Sequence, residues 1–364
     1  MSAPDLFEPL TLLRGSAMKN RFMLAPLTNQ QSRPDGGASG YDIDWAARAA
    51  HGGFALMQTC AATVQATGKA FHGQLGVHDD RCLEGLAAMA GAIRQGGALS
   101  AVQLHHAGHR ARRDLGGVPA PASDGSAPGA PALSAGQVEH IRDSFVHAAE
   151  RAERAGFDGV AVHGAFGWIL SEFLSPLLNR RTDRYGGSLE NRSRLIFEVI
   201  DGIRAACRPD FQIGLRLSVE RYGLKLQEVR DVAAEAMRQA KIDYLDLALW
   251  DARQRVREGA HEGPTVLSLF AELPRHGVRL GVAGKVMGGE RAAELLEEGC
   301  DFVLIGRGAI LRPDFPRRVR HDPAYACPAL PVSNGYLQGV GLSPPFIDYM
   351  RTAWDGFVAR DVAA

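Results

Sequence analysis

Eight short apolar runs recur along the chain: RFMLAPL (21–27), FALMQTC (54–60), SAVQLHH (100–106), GVAVHG (159–164), QIGLRLS (212–218), YLDLALW (244–250), RLGVAG (279–284) and FVLIGR (302–307). They are nearly continuous in apolar character rather than alternating. That is the pattern of parallel strands covered on both faces.

Between them lie segments with helical spacing: 80–97, ending on Gly96-Gly97; VEHIRDSFVHAAERAERAGF (138–157), with a Ser134/Gln137 capping box ahead of it and a stop at Gly156; and 190–207, 226–240 and 289–300. Eight strand-then-helix units in 364 residues predict an α/β fold of the (β/α)8 TIM-barrel type. A doubly wound open sheet is the runner-up, but no G-x-G-x-x-G follows the first strand. We read one domain over residues 1–324 and a C-terminal extension over 325–364, packed on its own barrel or on a neighbouring subunit. Two connections are long, 107–133 and the stretch from 164 to about 189. Both follow a strand's C-terminal end, where barrels carry their chemistry.

Charge and composition narrow the function. Lys+Arg and Asp+Glu both number 41, so nothing favours nucleic acid or an anionic membrane as partner. No run approaches the length of a membrane span, and the first dozen residues carry no basic-then-apolar signal pattern. Five dispersed cysteines with no C-x-x-C argue against structural zinc and iron–sulfur sites and suit a reducing compartment. The expectation is a cytoplasmic enzyme acting on a small molecule, its oligomeric state open.

A barrel brings the polar residues at its strand ends to one mouth. Here these are Thr28, Gln103, His105, His106, His163 and Arg216. Arg216, between Leu215 and Leu217, is the sharpest: a guanidinium in a core strand needs an acceptor, either a ligand or a structural ion pair. Residues 283–285 and 305–308 place Gly284, Lys285, Gly306 and Arg307 after the last two strands. There glycine lets backbone N–H groups approach phosphate oxygens and arginine adds a planar fork. A barrel acting on a phosphorylated metabolite without flavin shares that cradle but leaves Arg216, Gln103 and APLT together unexplained. Cys60, Arg181 and Tyr185 read as packing or loop-holding residues. His105 and His106 read as loop partners, with a pocket role for His105 the sharper alternative.

At this point the chain resembles a known family. KNRFMLAPLT (19–28), VQLHHAG (102–108), HGAFGWILSEFLSPLLNRRTDRYGGSLENRSR (163–194), GLRLS and LIGRG, in this order, are similar to the Old Yellow Enzyme family: FMN-dependent oxidoreductases on a (β/α)8 barrel. The resemblance spans roughly residues 5–325. It implies non-covalent FMN, with Pro26, Leu27 and Thr28 against the isoalloxazine, Ala61 and Gln103 at its pyrimidine edge, and Arg216 beside N1 and the C2 carbonyl. Gly284, Lys285, Gly306 and Arg307 would lie around the phosphate. It also implies hydride transfer from NADH or NADPH through the flavin to an activated alkene such as an α,β-unsaturated carbonyl.

The stretch from His163 departs from the family. His163 matches the first of two donors that clamp the carbonyl oxygen. Phe166 stands where the second belongs, and Trp168 where a tyrosine usually protonates the product. A phenyl ring donates nothing, and losing one such donor costs on the order of 3 kcal/mol of transition-state stabilisation; indole is no usable acid. Three readings follow. In the first, Tyr222 or solvent supplies the proton and alkene reduction survives. In the second, an aromatic pocket of Phe166, Trp168, Tyr222 and Trp250 serves an oxidative or isomerising variant, such as amine oxidation or demethylation, since aromatic faces suit cationic amines. In the third, the protein binds flavin with little catalysis.

Overall fold

The computed structural model describes residues 5–258 and 263–360. Residues 1–4, within the stretch read above for a signal pattern, and residues 361–364 of the C-terminal extension lie outside it. Eight parallel strands close into a barrel in sequence order: β1 Phe22–Leu24, β2 Leu56–Thr63, β3 Leu99–His105, β4 Gly159–Gly164, β5 Gln212–Leu217, β6 Tyr244–Ala248, β7 Arg279–Ala283 and β8 Phe302–Ile305. β1 pairs with β8, so the open-sheet alternative is excluded.

Within each strand the two faces differ. Val160 and Val162, Leu215 and Leu217, and Leu245 and Leu247 belong to the large core between sheet and helices. The intervening residues point into the barrel, where period-2 geometry puts them. They are small at its base: a Cβ on Gly214 would lie 2.1 Å from the Tyr244 ring, and one on Gly281 2.2 Å from Phe302. Met23, Leu56, Ala101, Tyr244, Phe302 and Leu304 fill that base as a separate cluster. Towards the C-terminal ends the inward positions turn polar, and this gradient places the site.

Several boundaries differ from the sequence reading. β1 is only three residues long, because Pro26 has no N–H to continue the ladder. β2 runs on past Cys60 to Thr63 through a register shift between Gln58 and Ala61. A helix, Gly40–His51, opens on a Ser39/Asp42 capping box that the reading passed over. The stretch after β4, read as loop, contains the helix Ile169–Leu174, buried along its whole length. The Ser134/Gln137 box is present on Ala135–Arg154.

After β8, the helices Asn334–Gly339 and Pro344–Ala353 form a third apolar cluster with Ile310 and Leu311, against which Leu27 and Trp45 pack from the barrel. The Trp45 and Phe346 rings meet edge-on, centroids 5.3 Å apart. The C-terminal segment therefore lies on its own barrel and reaches the strand C-terminal ends.

Candidate active site

One cavity of ≈ 450 Å³ opens at the C-terminal mouth. Pro26, Leu27, Thr28, Ala61, Gln103, His163, Phe166, Trp168, Arg216, Tyr222, Trp250, Gly284, Lys285, Gly306 and Arg307 all line it. Of the polar strand-end residues expected at the mouth, Thr28, Gln103, His163 and Arg216 thus meet in one place. A larger depression of ≈ 670 Å³ beside Arg48 and Arg317 gathers none of these residues.

Register explains the centre of the site. β4, β5 and β6 bring His163, Arg216 and Asp246 into one row of paired positions, and the row below carries Ala161, Gly214 and Tyr244. Arg216 Nε lies 3.2 Å from Asp246 Oδ2, and both side chains are buried. Arg216 is therefore in an ion pair and at the cavity wall at once; the two readings of it are not exclusive. Arg216 Nε and Nη1 and both Asp246 carboxylate oxygens lack a well-formed hydrogen bond within the chain. Burial pushes the Asp246 carboxyl up to about 6, with Arg216 pulling the other way. Gln103, in the cavity lining, donates from Nε2 to Gln58 Oε1 at 3.3 Å.

Burial first, then the charges of His105, Arg216 and Arg110, hold His163 well below the ordinary imidazole range, so the ring is neutral at neutral pH. The backbone N–H of Ala165 donates to His163 Nδ1 at 3.3 Å. That assigns the ring proton to Nε2, the remaining nitrogen, as a donor.

Phe166 follows with φ +60°, a left-handed conformation that favours glycine or asparagine. Its N–H donates to Ser218 Oγ at 3.0 Å, and its ring lies 5.6 Å from His163 and 6.3 Å from Tyr222. The Trp168 indole is covered by the Arg110 guanidinium at 3.6 Å and met edge-on by His105 at 4.6 Å. Arg110 Nη2 also donates to the Phe166 carbonyl at 2.6 Å. Behind this wall, Glu172 is fully buried and binds the long loop after β3: its carboxylate accepts from Ala122 N (2.7 Å) and His109 N (3.2 Å) and lies 2.8 Å from His109 Nδ1.

At the far end, Gly284 has φ +151°, and a Cβ there would lie 2.5 Å from the Ala252 nitrogen, so only glycine fits. A Cβ on Gly306 would meet nothing closer than Leu27 at 3.5 Å; the space it would fill belongs to the cavity. Lys285 Nζ is 3.3 Å from Asp251. Arg307 lies over two indoles, Trp250 at 5.5 Å and Trp354 at 4.9 Å.

Other sequence candidates fall outside the cavity. His105 contacts Gln74 Nε2 at 3.0 Å and backs Trp168; His106 contacts Gln65 and is held by burial at about 4. Cys60 packs in the core, and burial pushes its thiol up. Arg181 donates to the carbonyls of Ala122 and Leu133, and the Tyr185 hydroxyl to Glu198, both holding loops. Phe71 and Arg110 also line the cavity and were not foreseen as site residues, while Tyr349 and Trp354 come from the C-terminal extension read as packing on its own barrel or on a neighbouring subunit. Asp246 was missed too, although a lone carboxylate in YLDLALW is as legible a signal as the lone arginine in GLRLS. Among the described residues no cluster of histidine, cysteine and carboxylate suits a metal, and no helix is long and apolar enough to cross a membrane.

The NADH:flavin oxidoreductase / NADH oxidase family matches residues 5–324. The chain belongs to this family. Among its relatives, a probable NADH-dependent flavin oxidoreductase of Bacillus subtilis (strain 168) is 34% identical over 329 residues, covering 86% of this chain and 87% of the relative. Among solved structures, morphinone reductase is 27% identical with a TM-score of 0.78, covering 92% of this chain and 93% of that one. Histamine dehydrogenase from Rhizobium sp. 4-9 is 29% identical with a TM-score of 0.75, covering 87% of this chain and 48% of that one. The chain is thus an FMN-dependent NAD(P)H oxidoreductase of Old Yellow Enzyme type.

Proposed function

We propose that the enzyme reduces an activated alkene, such as an α,β-unsaturated carbonyl, at the cavity lined by His163, Tyr222 and Arg216. FMN, when bound, supplies the chemistry by accepting hydride from NAD(P)H and passing it to the alkene's β-carbon. The cavity fits that group: Arg216 offers a buried Nη1 with no hydrogen-bond partner among the described residues, Gln103 an amide, Gly306 a space free of side chain, and Ala25 to Thr28 one wall. In this reading Arg216 faces the pyrimidine edge, Gly284, Lys285, Gly306 and Arg307 hold the phosphate end, and Thr28, Pro26, Leu27 and Ala61 flank the ring.

The observation that carries the reading is His163. It is neutral, its Nδ1 is occupied, and its Nε2–H is left to polarise a substrate carbonyl. Tyr222 brings a phenol hydroxyl to the same cavity and takes the role of the absent tyrosine at position 168: it donates a proton to the α-carbon. Trp168 and Phe166 shape the wall.

The amine-oxidising alternative rested on aromatic faces for a cation. The protein's own cations lie over three of the four rings: Arg110 on Trp168, Arg216 on Phe166 at 5.4 Å, Arg221 and Arg307 on Trp250. At those three a substrate ammonium would meet guanidinium groups rather than open rings. The test is anaerobic turnover of 2-cyclohexen-1-one with NADH or NADPH, with histamine and trimethylamine offered separately to the oxidised enzyme. Cyclohexanone formation without bleaching by the amines supports the reading; bleaching by an amine and no cyclohexanone contradicts it.

A further inference from the structure

The cavity holds one cation that neither flavin binding nor the family's carbonyl clamp accounts for. Arg110 comes from the loop after β3, at the end of the single turn Gly108–Arg110. Its guanidinium is fixed in plane by the Trp168 ring and in direction by the Phe166 carbonyl. Of its five N–H donors, that carbonyl takes one, and its side chain stays accessible from the cavity.

Among the described residues no carboxylate lies within 4.0 Å of Arg110. Glu172, whose charge bears on it, is taken up by His109 and by two backbone N–H groups. Asp246 is taken up by Arg216. A preorganised guanidinium with spare donors and no carboxylate of its own is a carboxylate receptor. It stands on the substrate side of the mouth, against the residue that fills the second donor's place.

We propose that Arg110 forms a carboxylate-binding subsite beside His163, so that the preferred substrates are activated alkenes bearing a carboxylate. This rests on the alkene-reducing reading above. His163 holds the activating carbonyl and Arg110 the carboxylate through two parallel N–H···O bonds. The bond changes are those of the parent reaction: hydride adds to the β-carbon, the π pair moves to the α-carbon and takes a proton, and NAD(P)H is oxidised. Arg110 thereby replaces, for anionic substrates, the anchoring lost at Phe166. It also sets the enzyme against amines by charge.

The test compares (E)-4-oxo-2-pentenoate with its methyl ester on the FMN-loaded enzyme. The wild type is expected to favour the acid by about tenfold or more in kcat/KM, the usual scale of a charge-assisted bidentate contact. Arg110→Met is expected to lose most of that preference while the ester changes little, and Arg110→Lys to keep part of it. A wild type that prefers the ester, or an Arg110→Met enzyme with an unchanged acid-to-ester ratio, overturns the proposal.

Binding separates this from the alkene reading. Benzoate and benzamide are titrated into the oxidised wild type and Arg110→Met, following the flavin absorption. Benzoate is expected to bind the wild type more tightly than benzamide and to lose about tenfold in affinity in Arg110→Met, with benzamide unaffected. If neither alkene is reduced but that pattern holds, the subsite stands and the alkene reading fails. If benzoate and benzamide bind alike, the subsite fails whatever is reduced.

Discussion

In the resemblance drawn above, Phe166 stands where the second carbonyl donor belongs. It combines a missing donor with a left-handed backbone that costs a β-carbon-bearing residue about 1–2 kcal/mol. Asparagine tolerates that backbone and offers an N–H. Phe166→Asn is therefore expected to raise kcat/KM for a neutral cyclic enone by roughly tenfold or more, since a restored oxyanion donor carries a few kcal/mol. A fall in that ratio with FMN content unchanged would mean that the phenyl ring has a binding role of its own. Asp246 presents a second residue-scale case. It is a positioning residue, touching Arg216 rather than the cavity. In the reading proposed here, its carboxylate offsets part of the charge that Arg216 would present to the flavin. Asp246→Asn removes that offset while the guanidinium stays charged, so the flavin's reduction potential is expected to rise by about 30 mV, equivalent to some 1.4 kcal/mol for two electrons. A spectroelectrochemical titration checks this; an unchanged or lower midpoint contradicts it.

At the scale of elements, the eight strands were legible because aliphatic residues on the outward face and small residues on the inward face make nearly continuous apolar runs. The closed order followed from the strand-then-helix rhythm. What was not legible depended on length or on three-dimensional paths. Ile169–Leu174 has six residues, too few to display a period, and every one of them is buried. Arg110 reaches the cavity only because the loop after β3 is folded back over the loop after β4. No spacing in AGHRARR announces that, whereas Asp246 was there to be noticed. Glu172 is the clasp between those two loops. Glu172→Gln keeps the shape but gives one amide donor where a carboxylate oxygen accepted, towards the His109 N–H or that of Ala122. The enzyme is expected to lose about 2–3 kcal/mol of stability. Thermal or urea denaturation measures this, and the loss is expected together with a weaker acid-to-ester preference, because Arg110 is carried on the same loop.

At the scale of the whole molecule, the chain's own C-terminal segment forms part of the wall at the barrel's mouth. Tyr349 and Trp354 line the cavity, and Trp354 covers Arg307. The sequence left two destinations open for this segment; it forms an apolar cluster with Ile310, Leu311, Leu27 and Trp45 of its own chain. In the reading proposed here, Arg307 grips the phosphate end of FMN, so removing its indole lid loosens the cofactor. Trp354→Ala is expected to weaken FMN affinity by roughly tenfold, the scale of a partly desolvated cation–π contact, as read by fluorescence titration of the apoprotein. Unchanged affinity would confine Trp354 to a role in shaping the mouth.

The central claim is that His163, with a phenol hydroxyl from Tyr222, suffices for alkene reduction although Phe166 and Trp168 have displaced the usual partners. Its most direct test is a single half-reaction. The flavin is reduced anaerobically with one equivalent of NADPH or NADH, excess 2-cyclohexen-1-one is mixed in, and the return of oxidised flavin absorbance is followed in the wild type and in Tyr222→Phe. The account expects prompt return in the wild type and a return slowed by about a hundredfold in the variant, the contribution of one positioned general acid. A wild-type flavin that stays reduced with the enone and reoxidises only when oxygen is admitted would contradict it.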